Sequence, residues 1–96
     1  MPIYITLFKN TQKGAETLKE APQRIAAGAQ AVQKAGGRVI GAYATLGRYD
    51  FVYITEFPDT KAGWPVLVQT AMRGSVSGET LEAIPIDEFI QIVTKA

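Results

Sequence analysis

Arg38-Val39-Ile40-Gly41-Ala42-Tyr43-Ala44-Thr45-Leu46-Gly47-Arg48-Tyr49-Asp50-Phe51-Val52-Tyr53-Ile54-Thr55-Glu56-Phe57 is the stretch that decides the fold. Two runs within it, Arg38 to Leu46 and Phe51 to Phe57, are rich in β-branched and aromatic residues, which suit a pleated, half-buried surface. Between them Gly47-Arg48-Tyr49-Asp50 supplies turn chemistry, so the economical reading is a β-hairpin. Residues paired across antiparallel strands point to the same side of the sheet. If Thr45 and Phe51 share a face, the count of residues between them must be odd, and a bulge or extra paired position is expected at Leu46 or Asp50.

Upstream of the hairpin, Ile3-Tyr4-Ile5-Thr6-Leu7-Phe8 reads as a strand that ends at Lys9-Asn10-Thr11. From Thr11 the composition turns to Ala, Glu, Gln and Lys, with Leu18, Ala21, Ile25, Ala29, Val32 and Ala35 three or four apart, the spacing of a helix face. Pro22 is tolerated only in a first helical turn, so the segment divides into a short helix near Thr11 to Glu20 and a longer one that opens at Pro22. Gly36-Gly37 closes the second, because glycine adopts the left-handed conformation that ends a helix.

Downstream, Asp59 is placed to cap a helix whose apolar stripe is Trp64, Leu67, Val68, Ala71 and Met72. Pro65 predicts a kink or a later start. Val76 to Ile84 reads as a fourth strand, with Gly78 as the site of a bulge. Pro85 ends it, and Asp87 is read as the cap of a final helix bearing Phe89, Ile90 and Val93. The order is βαββαβ plus a C-terminal helix, which predicts one two-layer α+β domain over residues 1–96.

Composition narrows the function classes. Ten basic and nine acidic side chains give a net charge of +1, spread along the chain and not gathered in a stripe, which disfavours nucleic acid as a partner. No cysteine and no histidine are present. That removes thiolate ligands, disulfides and the commonest general base and metal ligand, so zinc and most hydrolase readings fall and a reducing, cytoplasmic setting is expected. The opening Met1-Pro2 leads straight into a strand, so neither a signal peptide nor a membrane segment is expected.

Sorting each strand by its period of two gives two sets. One is aliphatic: Ile3, Ile5, Leu7, Ile40, Ala42, Ala44, Leu46, Val52, Ile54, Leu81 and Ala83. The other is Tyr4, Thr6, Phe8, Val39, Gly41, Tyr43, Thr45, Phe51, Tyr53, Thr55, Thr80 and Glu82. Assigning the aliphatic set to the helices leaves rings and hydroxyls on the open side of the sheet. A contiguous apolar patch of that kind marks an interface, so a homodimer, sheet against sheet, is expected, with a ligand cavity between the two sheets where the hydroxyls find partners.

The chain also resembles the GYD family, whose Gly-x-Tyr-Asp element appears as Gly47-Arg48-Tyr49-Asp50. Thr11-Gln12-Lys13-Gly14, Pro22-Gln23-Arg24, Gly36-Gly37, Pro58-Asp59, Thr80-Leu81 with Ala83, and Glu88-Phe89 agree along nearly the whole length. The resemblance implies a ferredoxin-like fold of the dimeric α+β barrel type. It carries over no catalytic residue and no cofactor. Gly47, Tyr49 and Asp50 come only as motif positions.

Two functions are weighed. The first is an oligomeric small-molecule-binding domain, with Tyr4, Tyr43, Tyr53 and Glu82 lining the cavity, Tyr49 and Asp50 at its mouth, and Arg24 nearby. The alternative is a cofactor-free enzyme, similar to monooxygenases and isomerases of the same architecture. Its chemistry would fall to Tyr49, Asp50, Glu82 or Arg24, and fold alone does not carry function. An RNA-binding reading shares the element order but lacks the basic signature. For Gly47 and Asp50 a turn role, and for Arg24 a solvated or paired helix residue, are the plainer readings.

Overall fold

A computed structural model describes residues 1–96. The elements run β1 (Ile3–Asn10), α1 (Gln12–Glu16), a 3₁₀ turn (Leu18–Glu20), α2 (Ala21–Lys34), β2 (Arg38–Ala44), β3 (Phe51–Glu56), α3 (Thr60–Arg73), β4 (Val76–Ala83) and α4 (Ile86–Lys95). The four strands form one antiparallel sheet in the order β2-β3-β1-β4. The helix and strand order read from the sequence is therefore present.

Local chemistry explains the boundaries. The Thr11 hydroxyl accepts from the Gly14 amide at 3.2 Å and donates to the Gly74 carbonyl at 2.6 Å, capping α1 and tying it to the α3–β4 turn. Pro22 occupies the first turn of α2, where a missing amide costs nothing. Gly36 closes that helix at φ 82°, a left-handed angle that favours glycine. The Asp59 carboxylate accepts from the Ala62 amide at 2.9 Å, so α3 begins directly after its cap and runs through Pro65. The later start expected there is not observed.

Three other expectations are corrected. α4 opens at Ile86 with Pro85 in the cap position and no side-chain cap, so Asp87 lies inside the first turn and does not cap the helix. β4 pairs with β1 without interruption from Val76 to Ala83, so Gly78 marks no bulge. Its reason is Phe8: a Cβ at Gly78 would lie 2.9 Å from the Phe8 ring. The bulge sits instead in β2, where the register shifts between Val39 and Gly41 and leaves Ile40 unpaired. That extra residue reverses the facing of β2 beyond it, so Phe51 pairs with Ala44, and Thr45 donates its amide to the Asp50 carbonyl at 2.8 Å. The hairpin closes with no bulge at Leu46 or Asp50.

The larger correction concerns which side of the sheet meets the helices. Tyr4 is buried with Val32 of α2 and Phe57, and Ala35, Val39, Ala62 and Val66 pack around this cluster. Thr6 and Thr55 are buried on the same side. The ring-and-hydroxyl set of β1 and β3 therefore lies under α2 and α3, and the aliphatic set Ile3, Ile5, Leu7, Val52, Ile54 and Leu81 faces away from them. Phe57 anchors this side: Gly63 lies against its ring, where an added Cβ would fall 3.1 Å away, and Gly37 fits between that ring and the Glu56 carbonyl.

Candidate functional site

The loop between β2 and β3 is a buckle. Asp50 accepts the Asn10 amide through Oδ2 at 2.8 Å and donates its own amide to the Phe8 carbonyl at 2.8 Å, which fastens the loop to the end of β1. The Thr45 hydroxyl donates to the Tyr49 carbonyl at 2.6 Å, and the Tyr49 hydroxyl donates to Glu79 Oε2 on β4 at 2.9 Å. Gly47 stands at φ 100°, which only glycine takes without strain. Arg48 lies over the Tyr49 ring, 5.7 Å from its centroid. The polar groups of Tyr49 and Asp50 are engaged in holding the loop, which favours the turn role for Gly47 and Asp50.

The hydrogen bond to the Glu79 carboxylate, followed by burial and by the charge of that carboxylate, pushes the Tyr49 phenol above its ordinary value, with Arg48 opposing. Burial alone raises Tyr53. Both side chains are thereby held as neutral phenols, suited to donate hydrogen bonds and not to remove protons. No three acidic side chains converge into a cation site.

The remaining expected site residues do not meet in one place. Tyr53 stands beneath the helices with Phe8 edge-on to it, ring centroids 5.7 Å apart at 81°. Together with Arg24 of α2 it lines a cavity of about 110 Å³ between sheet and helices. Tyr4 packs on Phe57 at 6.1 Å between centroids and, with Glu82 and Trp64, borders a separate open groove between α3 and β4. Tyr43 sits beyond the Ile40 bulge, pairs with Val52 on the opposite face and is 61% exposed. A cavity between paired sheets lined by Tyr4, Tyr43, Tyr53 and Glu82 is thus inconsistent with where these side chains point. The sequence reading missed Arg73, Asn10 and Thr6 in the helix-side cavity. A basic residue in the last turn of α3 was the only signal for the first of these.

The open face of the sheet is the other candidate. It presents Ile3, Ile5, Leu7, Val52 and Ile54, all part-buried, and Leu81, 44% exposed, with Glu79 beside Leu7 on the same face, where the Tyr49 hydroxyl reaches it. α4 does not fold across it: every residue from Ile86 to Lys95 is exposed, including Ile86, Phe89, Ile90 and Val93, which share one helix face.

The sequence model of the GYD domain matches residues 4–93, nearly the whole chain, the loop buckle included. The chain belongs to the GYD domain family. A relative from Thermus thermophilus, named glutamine synthetase and cystathionine beta-lyase binding protein, is 43% identical over 91 residues, covering 94% of this chain and 96% of the relative. The crystal structure of TTHA0845, also from Thermus thermophilus, superposes with a TM-score of 0.55 at 22% identity, covering 88% of this chain and 95% of the other. That likeness shows a shared fold. In this GYD domain the hydrogen bonds of Tyr49 and Asp50 fasten the hairpin loop to β4 and β1, and the bond to Glu79 reaches the open sheet face beside Leu7.

Proposed function

We propose that this GYD domain is a binding module that acts as a homodimer, two ferredoxin-like subunits apposed through their aliphatic sheet faces as a dimeric α+β barrel, and that its partners are proteins. The observation that carries the dimer is the sheet face of Ile3, Ile5, Leu7, Val52, Ile54 and Leu81, which lies on the side away from α2 and α3. Fully burying an exposed side chain of this kind stabilises by about 1.5–3 kcal/mol; five of the six are already part-buried, so each adds a fraction of that, and the six on each copy together favour association. Only 8 of 96 residues are buried in the single chain, too thin a core for a domain that has no disulfide to help it.

α4 supports the same reading. Isolated helices below about 12–15 residues are marginal in water, and this one has ten residues with an unpartnered apolar stripe. A second copy is the surface we assign to it.

Proteins as further partners rest on the relative whose name records binding to two enzymes. On this chain the fitting surface is the outer stripe of α3, where Trp64, Val68 and Met72 stand four apart and are 63%, 44% and 79% exposed. Tryptophan anchors of this kind dominate interface energetics. The reading is tested by titrating the wild-type chain and Trp64→Ser against purified glutamine synthetase and cystathionine beta-lyase. Saturable binding that weakens in the variant supports it, and no binding to either enzyme removes both enzymes as partners and with them the ground for a protein-binding role.

A further inference from the structure

The cavity beneath the helices lies on the side of the sheet opposite to the proposed dimer face, and it has a chemistry of its own. Its walls are mainly apolar, with Phe8, Phe51 and Tyr53 from the sheet and Ile25 and Leu67 from the helices. Arg24 and Arg73 also line it, and no aspartate or glutamate does. The one ion pair of the molecule, Arg38 with Glu56, is elsewhere, so neither cavity arginine is neutralised by a carboxylate.

Arg24 is held in place. Its Nη1 donates to the Thr17 carbonyl at 3.2 Å and to the Thr17 hydroxyl at 3.1 Å, which fixes the guanidinium and leaves its other N–H groups to donate. The Tyr53 hydroxyl has no hydrogen-bond partner in the chain, and its burial keeps it protonated. A pocket of about 150 Å³ accepts benzene, so the volume here of about 110 Å³ suits a ligand whose body is smaller than a benzene ring.

We propose that this cavity binds a small aliphatic carboxylate, its apolar body among Phe8, Phe51 and Leu67, its carboxylate toward Arg24 and Arg73, and its polar edge against the Tyr53 hydroxyl. The charge asymmetry selects an anion. A neutral amide of equal shape gains the apolar contacts and can accept from a guanidinium, but it forfeits the attraction between opposite charges that a carboxylate–arginine pair adds.

Isobutyrate and its neutral isostere isobutyramide are the probes. Protein-observed NMR titration of the full chain is expected to show isobutyrate binding about tenfold tighter than isobutyramide, the factor that 1.4 kcal/mol represents. The shifts are expected at Tyr53, Phe51 and Arg24, and not at Ile5 or Leu81 on the far face. Arg73→Gln, an exposed position, and Arg24→Gln are each expected to bring the two affinities together while the wild-type pattern of amide resonances shows the fold kept. If Arg24→Gln does not fold, Arg73→Gln alone decides. Equal affinity of the two probes for the wild-type chain overturns the proposal, as do isobutyrate shifts confined to the far face and the absence of any binding. Each of these results leaves the dimer untouched, since its face is separate.

Discussion

Asp50 Oδ2 accepts the backbone amide of Asn10 at 2.8 Å, although forty residues separate them in the chain. The bond closes the hairpin loop onto the end of β1 and satisfies an amide that the sheet leaves unpaired. Removing the carboxylate strands that donor, and a hydrogen bond to a charged acceptor is worth about 1.5–3 kcal/mol. Asp50→Ala is therefore expected to lose roughly that much in urea denaturation, with Asp50→Asn losing less because its amide oxygen still accepts.

Tyr49 donates to Glu79, and that bond is the leading cause of its raised pKa. The unfolded phenol ionises near its ordinary value of 10.0, and the folded one only above it. The Tyr49 contribution is thus complete below pH 10 and fades as pH climbs through the folded value. Tyr49→Phe is expected to flatten that alkaline loss of stability, and phenolate absorbance during an alkaline titration of the wild type should show two late-ionising tyrosines, Tyr49 and Tyr53, of which the variant keeps only Tyr53.

The Phe8 ring fills the place that a side chain on Gly78 would need, and it is held there edge-on to Tyr53. Alanine in a strand ordinarily gains about 0.5–1 kcal/mol over glycine. Here the fixed ring reverses the sign, because overpacking costs about 1–3 kcal/mol. Gly78→Ala should lower the midpoint of thermal unfolding, and adding Phe8→Leu, which withdraws the ring edge, should recover part of the loss.

The element order is legible in the sequence because its signals are local: the Asp59 cap, the Gly36 stop and Pro22 in an opening turn each act within a few residues. The facing of the sheet is not. A period of two separates Tyr4 from Ile5, but it says which side is buried only where one set is polar, and here both sets are apolar. Ile40 compounds the difficulty, since a bulge is a pairing event between two strands and leaves no mark in either strand alone. The glycines at 37 and 63 held a clue, for Gly63 lies against the large ring of Phe57 and Gly37 against the Glu56 carbonyl and the same ring. Of the expected site residues, Tyr53 and Arg24 line one cavity because α2 lies on the side of the sheet that Tyr53 faces, a relation of tertiary packing that spacing does not encode.

α4 and the sheet face should act as one assembly surface. Phe89→Ser removes the largest side chain of the α4 stripe without touching any core residue. Its expected effect is weaker self-association with little change in the near-ultraviolet circular dichroism of the core rings. Unchanged association would detach α4 from the interface.

Sedimentation equilibrium on the wild-type chain and on Leu81→Lys tests the central claim most directly. Leu81 sits on the open face, 44% exposed in the single chain, so a lysine there spares the core and places a charge in the proposed interface. Dimerisation requires the wild type to sediment at twice 10.4 kDa or a higher even multiple at micromolar concentration, with Leu81→Lys shifted toward the single-chain mass. A wild type that remains at 10.4 kDa under those conditions contradicts the claim.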